Sequence, residues 1–342
     1  MDTWGRISWS HEGHLETPFR VETKCKNVGQ WSELLVVMNC LLNPNIMVDG
    51  ESKKVTLVEH SGIMISANLV QTLDLDVIQH SLLQTIKHRS IGARTFNIED
   101  DFVKQTLNIL GMSNEKVCAA TNQKHDIILH CSDSTSLKFN IKSLLGKQPS
   151  IINASYFSSI QYKVNTVLSI NELNKTIAAI PDVSNKLKYL HSVGTIDYIN
   201  FASTEFEKQL KKFNVNGDSV VAGWMLEYFS NRTQKFINQE DIVWFNKFIF
   251  DCMTQLAPKD GLKSEVDCGV AFLAGPVGKT KLLFTMGGPH FISNLHHHIR
   301  FDKPSFTKHH KYMLGQISND YTFRLPLSIR LNRSISQLWD SQ

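Results

Sequence analysis

Lys124 to Ser155 reads KHDIILHCSDSTSLKFNIKSLLGKQPSIINAS, and this stretch decides the fold. Ile127 to Cys131 is a short apolar run, and Ser132-Asp133-Ser134-Thr135 is a turn-forming cluster. Beyond it Leu137, Phe139 and Ile141 alternate with Lys138, Asn140 and Lys142. Two such runs about a polar turn predict a β-hairpin. Folding it brings Asp126 opposite the Asn140–Lys142 end. Asn140 and Lys142 are two apart, so their side chains leave the same face of the strand. A carboxylate, a polar group and a lysine then converge at one end of the hairpin. Such a set can hold a divalent cation beside a phosphate, with the ammonium orienting an attacking water and balancing developing charge. A surface hairpin with merely solvated Asp and Lys is the plainer reading of the same spacing.

Upstream, Gln30 to Leu42 (QWSELLVVMNCLL) has Leu34, Leu35, Met38, Leu41 and Leu42 at helical spacing, while Val36 and Val37 make it apolar almost all round. It is expected to be a buried helix, stopped by Asn43-Pro44-Asn45. Glu33 stands out in its first turn. Either it complements the helix dipole from the surface, or it is a second metal ligand reaching toward Asp126. Lys53–Val58 and Ile63–Ser66 are candidate strands around His60-Ser61-Gly62. Helices are expected over Val77–Lys87 and over Ile98–Leu110, the latter with Asn97 as N-cap and Gly111 past its end. Helices ahead of the hairpin suit a sheet covered on both faces.

With the helix and hairpin in view, a resemblance emerges. An Asp at one strand start, then a polar residue, an apolar one and Lys on the next, resembles the PD-(D/E)xK nuclease core. Ile141-Lys142-Ser143, Leu145-Gly146, Pro149 and Ile152-Asn153-Ala154-Ser155 resemble the IKS-x-LG...P...LLNAS segment of the HpaII family of Type II restriction endonucleases. Gln30-Trp31-Ser32-Glu33-Leu34 resembles that family's (G/E)WSEL opening. Asp302-Lys303-Pro304-Ser305-Phe306-Thr307-Lys308-His309 resembles its ETPSTSRH string, with Asp for Glu and Lys308 for Arg. Tyr321 to Leu331, alternating throughout, resembles its terminal LNLQIR(F) strand.

The resemblance implies an α/β fold: a PD-(D/E)xK core with a central mixed β-sheet flanked by helices, and a large C-terminal helical and strand elaboration. It places a catalytic core over 1–165 and a DNA-recognition region over 166–342, packed as one globule. The implied activity is Mg²⁺-dependent cleavage of double-stranded DNA at a short palindrome, CCGG-like. Asp126, Asn140, Lys142 and Glu33 would be catalytic, with Asp126, Glu33 and the Ile141 carbonyl on the metal. DNA contacts would come from Ser143, Lys147, Gln148, Asn153 and Ser155, from Lys303, Ser305, Thr307, Lys308 and His309, and from Arg324 and Arg330. Asn140 departs from the wider fold, which usually has an acid there. A homodimer is left open, and a cognate DNA methyltransferase is implied in the same system without direct contact. The rival class is a DNA-binding protein with a degenerate core and no useful catalysis.

The rest of the sequence constrains these readings. Net charge is +4 over 342 residues, which permits a polyanion partner without demanding one. Between Arg300 and Arg333 the basic residues face only Asp302 and Asp320. Charged residues at 20% and hydrophobic ones at 42% describe a globular chain rather than a disordered one. The 6 cysteines are far apart, with no CxxC pair, which favours reduced thiols in a cytoplasm over a disulfide framework or zinc site, and the family resemblance implies that this cytoplasm is prokaryotic. The N-terminus has charged residues where a signal peptide needs an apolar run, and no stretch approaches transmembrane length.

In the second half, Gln161–Ile170 is expected to continue the sheet, followed by helices centred on Leu187, capped by Ser203, holding Trp224–Phe229, and spanning Ile242–Leu256. Gly275-Pro276-Val277-Gly278-Lys279-Thr280 invites a phosphate-loop reading, but Leu273 stands where the motif needs Gly, so a turn before a strand Lys281–Thr285 is preferred. His296-His297-His298 cannot form one ligand face on a helix, where neighbours point about 100° apart. A phosphate-facing or solvated cluster is expected there. Arg324 and Arg330 share the polar face of the terminal strand, which Pro326 marks as an edge or a bulge.

Overall fold

The computed structural model describes residues 5–6, 32–33, 36–37, 39–41, 43–60, 63–66, 125–144, 148–155, 157–231, 238–254, 268–274, 281–302 and 316–338. The chain divides into two compact units. One comprises Met1–Pro149, Glu265–Gly288 and Trp339–Gln342; the other comprises Ser150–Ser264 and Pro289–Leu338. A cut at residue 165 would divide the chain otherwise: here 150–165 fall in the second unit, and 265–288 and 339–342 in the first.

The first unit is built on β1 (Gly5–Arg6), β2 (Asn45–Val48), β3 (Glu51–His60), β4 (Ile63–Ser66), β5 (Ile127–Cys131), β6 (Ser136–Ser143), β10 (Cys268–Ala274) and β11 (Lys281–Thr285). They form one mixed sheet in the order β1-β11-β10-β6-β5-β3-β2, with β4 on β3. An additional parallel pairing, Phe284 with Val48, joins β11 to β2. The expected central mixed sheet is present, and six of its strands close on themselves as a barrel, a closure the sequence does not announce.

The closure has a local cause. Val48 and Glu51 face each other across the two-residue loop Asp49-Gly50, whose φ angles of 48° and 88° are both positive. Such a loop matches the twist of its flanking strands, and Asp-Gly is the sequence that tolerates it. Asp49 then accepts hydrogen bonds from Thr285 Oγ1 at 2.6 Å and Met286 N at 2.7 Å, tying this turn to the end of β11. The strand β10 runs parallel to β6 and every residue in it is buried. Gly269 permits this packing, because a Cβ there would sit 2.4 Å from the Thr285 carbonyl oxygen and 2.8 Å from the Phe139 ring.

The second unit holds β7 (Ser150–Ile152), β8 (Ser159–Thr166), β9 (Gly194–Phe201), β12 (Ile299–Phe301), β13 (Thr322–Pro326) and β14 (Ile329–Leu331). Its helices are α1 (Ile170–Ala179), α2 (Val183–Val193), α3 (Thr204–Phe213), α4 (Gly217–Asn231), α5 (Gln239–Thr254) and α6 (Pro289–Asn294). The four helices expected between 180 and 256 form, and Ser203 caps α3 by accepting from Phe206 N at 3.2 Å. Trp224 and Trp244 stack at 5.8 Å between α4 and α5.

Two expectations are corrected here. The segment after Ser155 forms β8, which joins β13 and β9 in a separate sheet rather than the central one. The alternating run Tyr321–Leu331 is two strands in different sheets, not one: β13 pairs with β8, and β14 lies between β12 and β7. Pro326 ends the first of them, and Leu327 N turns to the Ser158 carbonyl instead. Strand Lys281–Thr285 is present, while the turn expected at 275–280 and the helices expected at 77–87 and 98–110 lie outside the described residues.

Candidate active site

The hairpin forms where the alternation places it, with Ile127 opposite Phe139 and Leu129 opposite Leu137. Its turn is held by Asp133, which accepts from Thr135 N at 3.1 Å and Thr135 Oγ1 at 2.6 Å. Ser134 takes a positive φ of 65° between them. These bonds, with Lys53 at 3.0 Å, hold the Asp133 carboxyl down at about 2.

At the open end, Asp126 N donates to the Phe139 carbonyl at 3.0 Å. The Asp126 carboxylate in turn accepts from Ile141 N at 2.6 Å. Asp126 is therefore fastened to the segment of β6 that bears Asn140 and Lys142. That segment is braced from its other side by β10, where Val270 pairs with Asn140 and Phe272 with Lys142.

Glu33 comes from the helix whose described residues are 32–33, 36–37 and 39–41, and Val36, Val37 and Cys40 on it have no exposed surface. Its carboxyl is pushed up, first by burial and then by the Asp126 charge, while a hydrogen bond from His60 and the Lys142 charge pull it down. Glu33 Oε2 lies 3.3 Å from His60 Nε2, with only 13% of the Glu33 side chain and 4% of the His60 side chain exposed. Helix, hairpin and β3 thus bring Glu33, Asp126, Lys142 and His60 within one electrostatic neighbourhood.

Two carboxylates in one half-buried neighbourhood are a donor set for a hard, oxygen-preferring cation. Glu33 and Asp126 carry such oxygens, and the backbone of Ile141 lies beside Asp126. Among the described residues no group of three or more His, Cys, Asp or Glu side chains gathers as a closed metal cage.

The other expected contact residues scatter. Ser143 and Gln148 are half-buried and Asn153 is exposed. Ser155 belongs to a turn: its N donates to Ser158 Oγ at 3.1 Å. Arg324 on β13 donates to Gln161 Oε1 at 2.9 Å, and Arg330 on β14 donates to Asp302. Lys147, Lys303, Ser305, Thr307, Lys308 and His309 lie outside the described residues. The histidine triplet is drawn partly inward: His296 N donates to Asn246 Oδ1 at 2.8 Å, and His298 lies 3.0 Å from Ser334 Oγ. Burial and its two neighbours push His296 down to about 4.

His60 is the site residue that the sequence reading passes over, because His60-Ser61-Gly62 looks like a turn. A His ending a strand that pairs with the Asp-bearing strand is the signal that could have found it.

A closed mixed sheet with Asp126 and Lys142 at one hairpin end and Glu33 on a helix is the frame within which comparison with known proteins gives the class. The family model described as HpaII restriction endonuclease matches residues 43–253. The Type II restriction enzyme HpaII of Haemophilus parainfluenzae is 24% identical over 277 residues, covering 73% of this chain and 75% of that protein. No solved structure matches. These matches put the chain among the Type II site-specific deoxyribonucleases. It belongs to the HpaII restriction endonuclease family.

Proposed function

We propose that the chain hydrolyses phosphodiester bonds in duplex DNA at a short palindromic site with Mg²⁺, through a PD-(D/E)xK-type constellation of Asp126, Lys142 and Glu33. The observation that carries this reading is the 2.6 Å bond from Ile141 N to the Asp126 carboxylate, which fastens that carboxylate to the strand bearing Lys142. Asp126 and Glu33 would hold the cation, with the Ile141 carbonyl as a backbone ligand. Bound there, a divalent ion neutralises charge on the phosphate and polarises its oxygens. Lys142 positions a water for attack on phosphorus; one ester P–O bond breaks, and the products are a phosphate monoester and a hydroxyl. Asn140 is neutral where the wider fold usually has an acid, so it can orient water or phosphate but adds no anionic ligand.

The first unit would carry the chemistry and the second much of the recognition. A CCGG-like site follows from the family resemblance, with a homodimer on the palindrome and a cognate DNA methyltransferase protecting the same sequence. Incubating mixed-sequence plasmid with the protein and Mg²⁺, with and without EDTA, tests the reading. Discrete fragments that vanish with EDTA support it. EDTA-resistant fragments overturn the metal role, and retarded but intact DNA favours a binding protein without catalysis.

A further inference from the structure

We infer that His60 is a positioning residue, whose ring N–H holds the Glu33 carboxylate in the orientation that serves the bound cation. This rests on the metal-dependent reading above.

The imidazole is 4% exposed, so its ring nitrogens need partners within the protein. Glu33 Oε2 supplies one at 3.3 Å. His60 does not stand on a free loop. It is the last residue of β3, and its backbone pairs with Ile127, the residue after Asp126. Its backbone is thereby fixed in the same sheet, beside the strand that Asp126 precedes. Glu33, by contrast, reaches the site from a helix through a side chain with three rotatable bonds. A hydrogen bond from β3 to Oε2 fixes that side chain and leaves Oε1 for an ion. Ligating carboxylates commonly carry such an outer hydrogen bond, and losing it weakens metal binding roughly 10–100-fold. His60 therefore links the helical ligand to the hairpin ligand, although it lies far from both in sequence.

The test uses the full chain and four variants: His60→Phe, His60→Gln, Glu33→Gln and the His60→Phe/Glu33→Gln double. Phe keeps the ring volume without a donor, and Gln keeps an amide N–H near the reach of Nε2. Mn²⁺ alone is the probe, its free concentration read by electron paramagnetic resonance, beside the half-saturating Mg²⁺ for plasmid cleavage. Circular dichroism melting checks that each variant folds. We expect His60→Phe to weaken Mn²⁺ binding about tenfold or more, His60→Gln to recover it to within about threefold, and His60→Phe to add nothing once Glu33 is Gln. A folded His60→Phe that binds Mn²⁺ like a parent that binds and cuts overturns this inference alone. An effect that persists undiminished in the Glu33→Gln background also overturns it. A parent that neither binds Mn²⁺ nor cuts DNA overturns both this inference and the function it rests on.

Discussion

The Asp126 carboxylate accepts the Ile141 backbone N–H at 2.6 Å, so the first ligand candidate is bonded to the strand that carries Asn140 and Lys142. This bond separates two roles that a single alanine substitution would merge. Asp126→Asn keeps an oxygen for Ile141 N–H but removes the charge. It should fold and bind DNA as the parent does while cleavage falls on the order of 10²–10³-fold or more. Lys142→Ala should behave likewise. Plasmid cutting at a substantial fraction of the parental rate by either variant would remove that residue from the chemistry.

The hairpin was legible because period-two alternation and a polar turn are local signals, and the helix carrying Glu33 because its apolar spacing is local too. What was missed depends on distant partners. Nothing near Asn45–Val48 announces that β2 will pair with β11, more than two hundred residues away, although Asp49-Gly50 does announce a hairpin. The strand β10 is an unbroken apolar run, and such runs do not tell strand from buried helix. His60 became a site residue only when β3 was set beside β5. Tyr321–Leu331 failed for the opposite reason: its alternation is uniform, but the two halves satisfy their backbones in different sheets.

Barrel closure offers a direct stability measurement. Asp49→Ala removes the bonds to Thr285 Oγ1 and Met286 N and should cost about 1–3 kcal/mol. Gly50→Ala, at φ 88°, should cost about 1 kcal/mol or more because left-handed backbone penalises a Cβ. Urea midpoints read both. Parental midpoints would mean that the β2–β11 junction is held without this turn.

Acid should loosen the hairpin turn in a defined window. Asp133 is held at about 2, chiefly by the Thr135 hydroxyl and N–H, against about 3.9 in an unfolded chain. A depressed carboxyl contributes stability that is complete above the unfolded value and is lost as pH falls through the folded one. The stability gap between parent and Asp133→Ala should therefore be constant above about pH 5 and close toward pH 2. Denaturant titrations across pH 2–7 measure it, and a gap that stays open at pH 2 would show that the turn does not depend on the ionised carboxyl.

The basic residues of the second unit give the sharpest separation between folding and recognition. Arg324 donates to Gln161, and Arg330 is paired with Asp302, so each has an internal partner as well as a charge to offer a phosphate. If each also neutralises one phosphate, Arg324→Ala and Arg330→Ala should weaken binding to all duplexes alike and flatten the salt dependence by about one unit apiece. A base contact would instead cost roughly 1–3 kcal/mol at the cognate site alone. Arg330→Ala should also lower thermal stability, because it leaves the Asp302 carboxylate with the longer Arg300 contact at 3.4 Å in place of its tighter ion pair. We expect both arginines to show the phosphate signature. Titrating each variant against cognate and scrambled duplexes at several salt concentrations decides the matter. A parental salt slope with reduced melting temperature would assign that arginine to the fold, and base recognition would then be sought in residues 143–165.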